Sequence, residues 1–275
     1  MGLLLCLFYG LISGLTEFLP VSSLAHQALF LQISGFETRL PLLDLCVHMG
    51  MLASAYYANR SVLNKLKRER RLRNSRRYQV QKGESTAFYD IRLIKSATVP
   101  MLLVLLLYMI TASNEFNPVP LSVFLVFNGA IMIIPEYMRH GNKDSRLMSA
   151  LDGVVMGIIS AASCLPGLSR IGLGLSYTSM RGADRQHAIN WAMLLSVPAI
   201  ALFIIFDFVN MATIGVGAIS FGYVAGSILA AATAFAGTYL GIMGIRFLAD
   251  RAGFSGFAYY SWGVALFTFG LYLIT

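Results

Sequence analysis

Long apolar stretches recur along this chain, and they constrain its fold more than any other feature. A helix that crosses a bilayer needs about 20 mostly apolar residues, and the chain supplies roughly eight stretches of full or half that length. Charged residues make up 12% of the chain, against about 25% in soluble domains. The sequence therefore predicts one all-helical, polytopic membrane domain over 1–275, and it excludes a soluble enzyme, a disordered tail and a disulfide scaffold.

The positive charge is concentrated in one segment. Of the 21 Lys and Arg residues, 12 lie between Arg60 and Lys95. Basic residues next to membrane spans stay on the cytoplasmic side, so residues 59–95 are predicted to form a basic cytoplasmic loop that touches anionic lipid headgroups. The run lacks interleaved aromatic side chains and is wedged between spans, which argues against a nucleic-acid partner.

Proline interrupts the first apolar stretch. The stretch over 1–18 reads as a helix, and Pro20 breaks it because proline has no N–H and its ring clashes with the preceding turn. Ser22 and Ser23 then occupy the N-cap position of a short second helix that is predicted to end near Ile33. Neither piece is long enough to cross the membrane alone.

A second break resembles the first. Leu165-Pro166-Gly167-Leu168-Ser169 aligns with Leu19-Pro20-Val21-Ser22-Ser23 at an offset of 146 residues, close to half the chain. Proline-broken segments at matching positions of two halves are typical of inverted-topology repeats whose broken helices meet near the midplane. We therefore predict two inverted repeats, at about 1–138 and 150–275, each with a re-entrant helix pair.

The two breaks together predict an anion site. A broken helix leaves backbone N–H groups unpaired, and the N-terminus of a half-helix carries a partial positive charge. One half-helix begins at Ser22 and Ser23, and the other begins after Gly167, at Ser169 and Arg170. The guanidinium of Arg170 adds a planar group that grips two phosphate oxygens. These residues describe a phosphate cradle.

Ionisable side chains lie beside the first break, inside apolar sequence where such groups are expensive and therefore functional candidates. Glu17 precedes Pro20 by three residues, and His26 follows Ser23 by three, which puts the serine and the histidine on one helix face. A serine close to a histidine and a carboxylate is the minimum set for an activated nucleophile. The alternative is a capping serine with a buried, hydrogen-bonded histidine, and Glu17 and Arg170 can equally be a structural ion pair.

Asp44 and His48 lie one helical turn apart on a stretch that is predicted to be a helix over 40–58. Their spacing suits a metal or a polar pair, but two ligands are too few to define a metal site. An ordinary buried hydrogen bond between the two side chains is the favoured interpretation.

These residues carry a family resemblance. The string Gly14-Leu15-Thr16-Glu17-Phe18-Leu19-Pro20-Val21-Ser22-Ser23, followed by His26, resembles the first signature of the undecaprenyl-diphosphate phosphatase family of bacterial inner-membrane proteins. Pro166-Gly167-Leu168-Ser169-Arg170 is similar to its second signature. Leu43-Asp44 with His48-Met49-Gly50 resembles a third family stretch, and Leu194-Leu195-Ser196-Val197-Pro198 a fourth.

The resemblance implies a fold and an activity. The fold is all-helical, with two inverted repeats that each bear a re-entrant helix pair, in the bacterial cytoplasmic membrane. The activity removes the terminal phosphate from a C55 isoprenoid diphosphate at a site open to the outer face. That reaction recycles the lipid carrier for peptidoglycan synthesis and confers bacitracin resistance. The implied partners are the isoprenoid diphosphate and the membrane, and the oligomeric state stays open, with a homodimer among the options.

The resemblance also supports roles for single residues. A Mg²⁺ or Ca²⁺ ion that bridges Glu17 and the diphosphate is an expectation from the family, and no organic cofactor is expected. The candidate catalytic residues are Glu17, Ser23, His26 and Arg170, and the candidate substrate-binding residues are Ser22, Gly167, Ser169, Asp44 and His48.

Three positions depart from the family pattern. The family usually has an acidic or amide residue where this chain has Ser13, and a serine and a threonine where it has Ile171 and Gly174. Isoleucine cannot donate a hydrogen bond and serine is no carboxylate at ordinary pH. A nucleophile, a proton acceptor and a phosphate clamp nevertheless remain among the other residues.

Two functions of different classes follow. The leading prediction is hydrolysis of a polyprenyl diphosphate, in which Ser23 or a water attacks, His26 or Glu17 accepts the proton, and Arg170 with the half-helix N-termini stabilises the phosphoryl oxygens. The alternative is a polyprenyl-phosphate transporter or flippase, or a non-catalytic lipid-phosphate binder, because inverted repeats are a transporter architecture.

Overall fold

The described part of the chain is all-helical, as predicted. The computed structural model describes residues 2–35, 40–73, 87–104, 106–108, 117–138, 141–215, 220–251 and 253–274. Within these ranges lie eleven helices of more than ten residues: α1 (Leu3–Glu17), α2 (Ser23–Ile33), α3 (Pro41–Ala58), α4 (Arg60–Arg73), α5 (Ala87–Met101), α6 (Pro118–Tyr137), α7 (Ala150–Ala162), α8 (Arg170–Met180), α9 (Arg185–Ile214), α10 (Phe221–Arg251) and α11 (Ser255–Ile274).

Three of the described helices are long and apolar enough to cross a membrane. They are α6, α9 as far as Thr213 and α10 as far as Leu248. Helices α1 and α7, which precede the two breaks, are apolar but have 15 and 13 residues. At 1.5 Å per residue they reach about 20–23 Å, less than the roughly 30 Å of the hydrocarbon core. Both broken segments therefore begin with a helix too short to span the bilayer alone.

The segment predicted as a basic cytoplasmic loop, 59–95, is helical in most of its described part. Residues 60–73 form α4, α5 begins at Ala87, and residues 74–86 lie outside the described ranges. Lys and Arg are good helix formers, and Val62, Leu63 and Leu66 recur at helical spacing and pack on an apolar cluster of the interior. The sequence interpretation weighed the charge of this segment and overlooked its narrow apolar stripe.

Two close helix contacts link the parts of the chain before and after residue 140. A Cβ at Gly10 or Gly14 of α1 would overlap backbone carbonyl oxygens of α10. In the same way, a Cβ at Gly153 or Gly157 of α7 would press on carbonyl oxygens of α5. Small residues allow helices to approach closely in lipid. Each helix that leads into a break therefore packs on a helix from the other half of the chain.

Helix α9 lies at the centre of the fold. Its residues contribute to both of the larger buried apolar clusters, with Ile189 and Met193 in one and Trp191 and Phe203 in the other. Because α9 follows directly after α8, it holds that short helix against the interior. Phe203 also reaches the region where the two breaks meet, since its ring lies under the guanidinium of Arg170.

Candidate active site

The first break lies where the sequence predicted it. Helix α1 ends at Glu17, and α2 begins at Ser23 with Ser22 as its N-cap in an extended conformation. The Ser22 Oγ accepts a hydrogen bond from the backbone N–H of Ala25 at 3.3 Å. Pro20 prevents the helix from continuing, and a serine cap starts the next one. The start of α2 follows from these two local rules.

The second break repeats this design. Helix α7 ends at Ala162, and α8 begins at Arg170 with Ser169 as its N-cap. The Ser169 Oγ accepts from the N–H of Gly172 at 3.1 Å. Gly167 has a φ of +112°, and a Cβ there would lie 2.6 Å from the Cβ of Phe124. Only glycine takes such a backbone conformation without strain, so the turn before α8 requires it.

The two breaks are hydrogen-bonded to each other. The backbone N–H of Gly167 donates to Ser22 Oγ at 2.9 Å, and Ser169 Oγ donates to the carbonyl oxygen of Leu19 at 3.3 Å. All four groups belong to segments that have left their helices and need new partners away from water. The N-cap serines thus serve two purposes, since each caps its own helix and also contacts the other break.

Asn128 of α6 completes this crossing. Its Oδ1 accepts from the N–H of Ser169 at 2.9 Å, and its Nδ2 lies within donating distance of the Pro20 carbonyl oxygen at 3.3 Å and of Ser261 Oγ at 3.0 Å. Sequence reasoning missed this residue. The available signal was a lone amide side chain in an otherwise apolar span, where a polar group is expensive without partners.

Arg170 and Glu17 form a buried ion pair across the breaks. The Nη1 of Arg170 lies 2.6 Å from Glu17 Oε1, and the two side chains are 5% and 8% exposed. The guanidinium also lies over the ring of Phe203, 5.2 Å from its centroid. Its Nε finds no hydrogen-bond partner among the described residues. The guanidinium is therefore held on two sides and keeps an unused donor.

A pocket opens at this ion pair. It encloses about 250 Å³ of space, part of it open to the outside, and Ser23 and Leu24 from the start of α2 face Ser169 and Arg170 from the start of α8 across it. The described residues that line the pocket are Glu17, Val21, Ser23, Leu24, Ser163, Leu168, Ser169, Arg170 and Phe203. Two half-helix N-termini and a guanidinium around one cavity make an environment for an anion.

Ser23 is held by neighbours that are not bases. Its Oγ donates to the backbone carbonyl of Ser13 at 3.1 Å and accepts from Gln27 Nε2 at 3.2 Å. A carbonyl oxygen cannot remove the proton it is offered. Ser23 thus faces the pocket with its hydroxyl hydrogen committed to the backbone of α1.

The structure does not bring His26 together with Ser23. The His26 Nδ1 lies 2.6 Å from the Ser22 carbonyl oxygen, and its Nε2 lies 2.7 Å from the hydroxyl of Tyr260. Because a carbonyl only accepts, Nδ1 carries the proton and Nε2 is left to accept from Tyr260. The imidazole therefore contacts α11 through Tyr260 and not the hydroxyl of Ser23. His26 is not among the described residues that line the pocket.

Asp44 and His48 do not pair as the sequence suggested. The His48 Nδ1 lies 2.5 Å from Asp207 Oδ2 in α9, and the hydroxyl of Tyr9 donates to Asp44 Oδ1 at 2.5 Å. The expectation failed because each side chain found a partner on another helix, at a sequence separation that spacing rules cannot foresee. An aspartate inside the apolar α9 was the signal that could have drawn attention to position 207.

The His48–Asp207 pair lies next to the pocket without lining it. The His48 ring is 5.3 Å from the ring of Phe203, which does line the pocket. Both polar side chains are buried, with 2% and 3% exposed. Asp44 and His48 therefore lie outside the pocket lining, although the sequence placed them among the candidate substrate-binding residues.

The three positions that depart from the family pattern point into the packed interior. Ser13 and Ile171 are completely buried, and a Cβ at Gly174 would already lie 3.1 Å from Met156 Cε. None of the three lines the pocket. Ile171 belongs to the larger apolar cluster, where its side chain packs instead of meeting phosphate.

The donor set does not fit a metal ion held by protein side chains alone. Among the described residues, no group of three or more His, Cys, Asp and Glu side chains lies together. Glu17 is the single carboxylate in the described pocket lining, and Arg170 already occupies its Oε1. An ion such as Mg²⁺ binds through one or two carboxylates and takes its other ligands from phosphates and water.

The fold and the pocket define a class: a multi-pass helical membrane protein with a polar pocket where two broken helices meet. The family model described as "Bacitracin resistance protein BacA" matches residues 6–267. The chain therefore belongs to this family, which confirms the resemblance found in the sequence.

Individual relatives are similar over nearly the whole chain. An undecaprenyl-diphosphatase of Methanobrevibacter smithii is 29% identical over 281 residues, which cover 98% of this chain and 97% of that protein. One of Thermodesulfovibrio yellowstonii is 30% identical over 270 residues, at 96% and 95% coverage. One of Desulfatibacillum aliphaticivorans is 32% identical over 209 residues, at 72% and 74%.

Proposed function

We propose that this protein hydrolyses undecaprenyl diphosphate to undecaprenyl monophosphate and inorganic phosphate. The observation that carries the proposal is the Glu17–Arg170 pair in a pocket lined by the starts of two half-helices. Relatives named undecaprenyl-diphosphatase at near-complete coverage support it. The reaction recycles the lipid carrier of cell-wall synthesis, and the family name points to bacitracin resistance.

The pocket suits the head of the lipid. Its lining combines Glu17 and Arg170 with Ser23 and Ser169, so the polar diphosphate is the part of the lipid expected there, while the isoprenoid tail stays on the apolar helix faces. The guanidinium of Arg170 binds phosphoryl oxygens with its free Nε while Nη1 stays on Glu17. The N–H groups that begin α2 and α8 add positive potential from two directions.

The chemistry is in-line attack on the terminal phosphorus. A water oxygen forms the new P–O bond as the anhydride P–O bond breaks, the lipid monophosphate leaves, and the water proton passes to Glu17. Arg170 and the two N-termini stabilise the charge that spreads over the equatorial oxygens. A water is favoured over Ser23 as nucleophile because the Ser23 hydroxyl donates to a carbonyl that cannot take its proton.

Glu17 is favoured over His26 as the proton acceptor. Glu17 lines the pocket, whereas both ring nitrogens of His26 are engaged with Ser22 and Tyr260. For His26 to act, its ring would have to leave Tyr260 and turn towards the pocket. A variant at each position separates the two candidates.

A flippase or non-catalytic binder is the weaker candidate. Alternating access moves one repeat against the other around the site. Here the two breaks are joined by buried hydrogen bonds between Gly167 and Ser22 and between Ser169 and Leu19, and Asn128 bridges them. A rigid crossing suits an enzyme, which gains from groups that are already in place.

The finer topology is part of the same proposal. We propose that the segments at about 1–138 and 150–275 are inverted repeats with re-entrant pairs, supported by the matching breaks and by the paired contacts of α1 with α10 and α7 with α5. By the positive-inside rule α4 lies in the cytoplasm, and the pocket opens to the outer face of the inner membrane. A homodimer is compatible with this arrangement.

The test is phosphate release by the purified protein in detergent from a C55 or C15 isoprenoid diphosphate. Arg170→Lys loses one positioned donor pair and is expected to lower kcat on the order of 10²–10³-fold. Glu17→Gln is expected to lose about 10²–10⁴-fold, and His26→Gln less. Arg181→Lys is the matched control, because Arg181 pairs with Asp152 at 2.7 Å away from the pocket.

Parallel reactions with Mg²⁺, Ca²⁺ or a chelator test whether a cation bridges Glu17 and the diphosphate. Absent phosphate release, or release that is unchanged in both the Glu17 and the Arg170 variants, would end the enzymatic proposal. Retained lipid binding, or lipid flipping in liposomes, would then support the transporter or binder.

A further inference from the structure

Asn128 lies at the crossing of the two breaks, on a helix that belongs to neither. It is 1% exposed, and its amide contacts Ser169 N, Pro20 O and Ser261 Oγ at 2.9, 3.3 and 3.0 Å. One side chain therefore reaches both breaks and a third element, α11. Asn128 does not line the pocket, and none of the proposed hydrolysis steps involves it.

The amide matches what the two breaks leave unsatisfied. Pro20 interrupts α1, and its carbonyl oxygen needs a donor, whereas the N–H of Ser169 precedes α8 and needs an acceptor. An unpaired polar group in the membrane interior costs several kcal/mol. Asparagine carries a donor and an acceptor on one planar group, so it serves both at once. Leucine serves neither, and an ionised aspartate would place an acceptor against the Pro20 carbonyl.

The backbone that carries Asn128 is packed closely against α11. The neighbouring Gly129 leaves room for the indole of Trp262, which a Cβ there would overlap, and Trp262 Nε1 donates to the Val126 carbonyl at 3.1 Å. The hydroxyl of Ser261 holds the amide from the α11 side. The amide is thus tied to two packed helices, so its contacts fix the positions of both breaks.

We propose that Asn128 is a positioning residue for the phosphatase reaction: it sets the spacing of the two half-helix N-termini and hence the place of Arg170 relative to Glu17. This inference rests on the proposed function. Loss of the bond to Ser169 frees the first residues of α8, which carry the guanidinium. A misplacement of about 1 Å in a reacting group can lower the rate about 10²-fold.

Three variants test the proposal. Asn128→Leu keeps the approximate volume and removes all three contacts, while Ser261→Ala removes the third partner and leaves both breaks bound. Asn59→Leu is the matched control, because Asn59 is 2% exposed and its amide also joins helices, accepting from Arg246 Nη2 at 2.8 Å. The readouts are kcat and KM for the C15 diphosphate, the thermal midpoint in detergent, and hydrogen–deuterium exchange of residues 18–24 and 165–173.

Asn128→Leu is expected to lower kcat by about 10–100-fold with KM within about threefold, and to raise exchange in both segments. Asn59→Leu is expected to lower the thermal midpoint without either effect. Ser261→Ala frees the amide from α11 but leaves its contacts with both breaks, so it is expected to lower kcat less than Asn128→Leu does.

The outcomes separate the two proposals. If the wild-type protein hydrolyses no diphosphate, the proposed function fails and with it the catalytic part of this inference, and exchange alone then decides whether Asn128 clamps the breaks. If hydrogen–deuterium exchange of the two breaks is unchanged in Asn128→Leu, Asn128 does not hold the breaks together. Raised exchange with an unchanged kcat overturns the positioning role, as does an equal loss of kcat in Asn59→Leu.

Discussion

Replacing Asp207 with leucine leaves the His48 side chain buried without its carboxylate. The Nδ1–Oδ2 distance is 2.5 Å, and the side chains are 2% and 4% exposed. At that separation the gross attraction of two unit charges is about 7 kcal/mol for an effective dielectric constant of about 20. Both groups lose their hydration on burial, and removal of one partner from such a pair destabilises proteins by about 3–5 kcal/mol.

The membrane environment reduces the destabilisation caused by removing one partner, and this reduction can be measured. Hydrogen bonds between membrane helices couple by about 0.6 kcal/mol on average, because the unfolded chain in lipid also finds partners. A paired imidazolium and carboxylate should exceed that value. We expect a coupling free energy of about 2 kcal/mol or more between His48→Leu and Asp207→Leu, and a double variant that is more stable than the sum of the two losses predicts.

The assay is a double-mutant cycle on the free energy of unfolding, measured by denaturant titration in mixed micelles and followed by circular dichroism. Asp144→Asn serves as control, because Asp144 pairs with the half-exposed side chain of Arg146 and the loss of such an exposed pair should cost at most about 1 kcal/mol. A coupling near 0.6 kcal/mol or below would mean a neutral hydrogen bond, and the ion-pair reasoning would be wrong.

Two further predictions concern packing and pH. Gly14→Ala drives a methyl group into a carbonyl of α10 and should lower the free energy of unfolding by about 1–3 kcal/mol, whereas Gly244→Ala, where a Cβ meets nothing, should not lower it; equal losses would contradict the close contact. The hydrogen bond from Arg146 lowers the pKa of Asp144. The stabilisation that this ion pair gives the folded protein is therefore complete above the ordinary pKa of about 4 and is lost as the pH falls through the lowered pKa. Below the lowered pKa, the thermal midpoints of Asp144→Asn and the wild type should converge. A difference that stays constant at all pH values would refute this prediction.

Local rules predicted the parts of the fold that depend on near neighbours. The end of α1, the cap at Ser22 and the start of α8 at Arg170 each follow from a proline or a serine within a few residues. Helix α4 was missed because the charge of its residues outweighed the three apolar positions that recur among them. The secondary structure of this chain can therefore be predicted from the sequence wherever one local signal dominates.

The residues of the site could be predicted from the sequence only in part. Sequence reasoning found Glu17 and Arg170, which the structure pairs, because ionisable groups in apolar sequence are conspicuous. It did not find Asn128 or Asp207, whose partners lie 41 to 159 residues away, and it directed His26 to the wrong neighbour. Helical spacing states which residues share a face, but the helix that this face meets depends on the packing of the whole chain.

The leading helix of each part of the chain packs on a helix of the other part, and this has a consequence for expression. Helix α1, which ends at Glu17, is seated on α10, and α7, which leads to the turn before Arg170, is seated on α5. Neither part contains the partner of its own leading helix. A gene cut near codon 140 should yield two products that are inert singly and regain phosphate release when co-expressed.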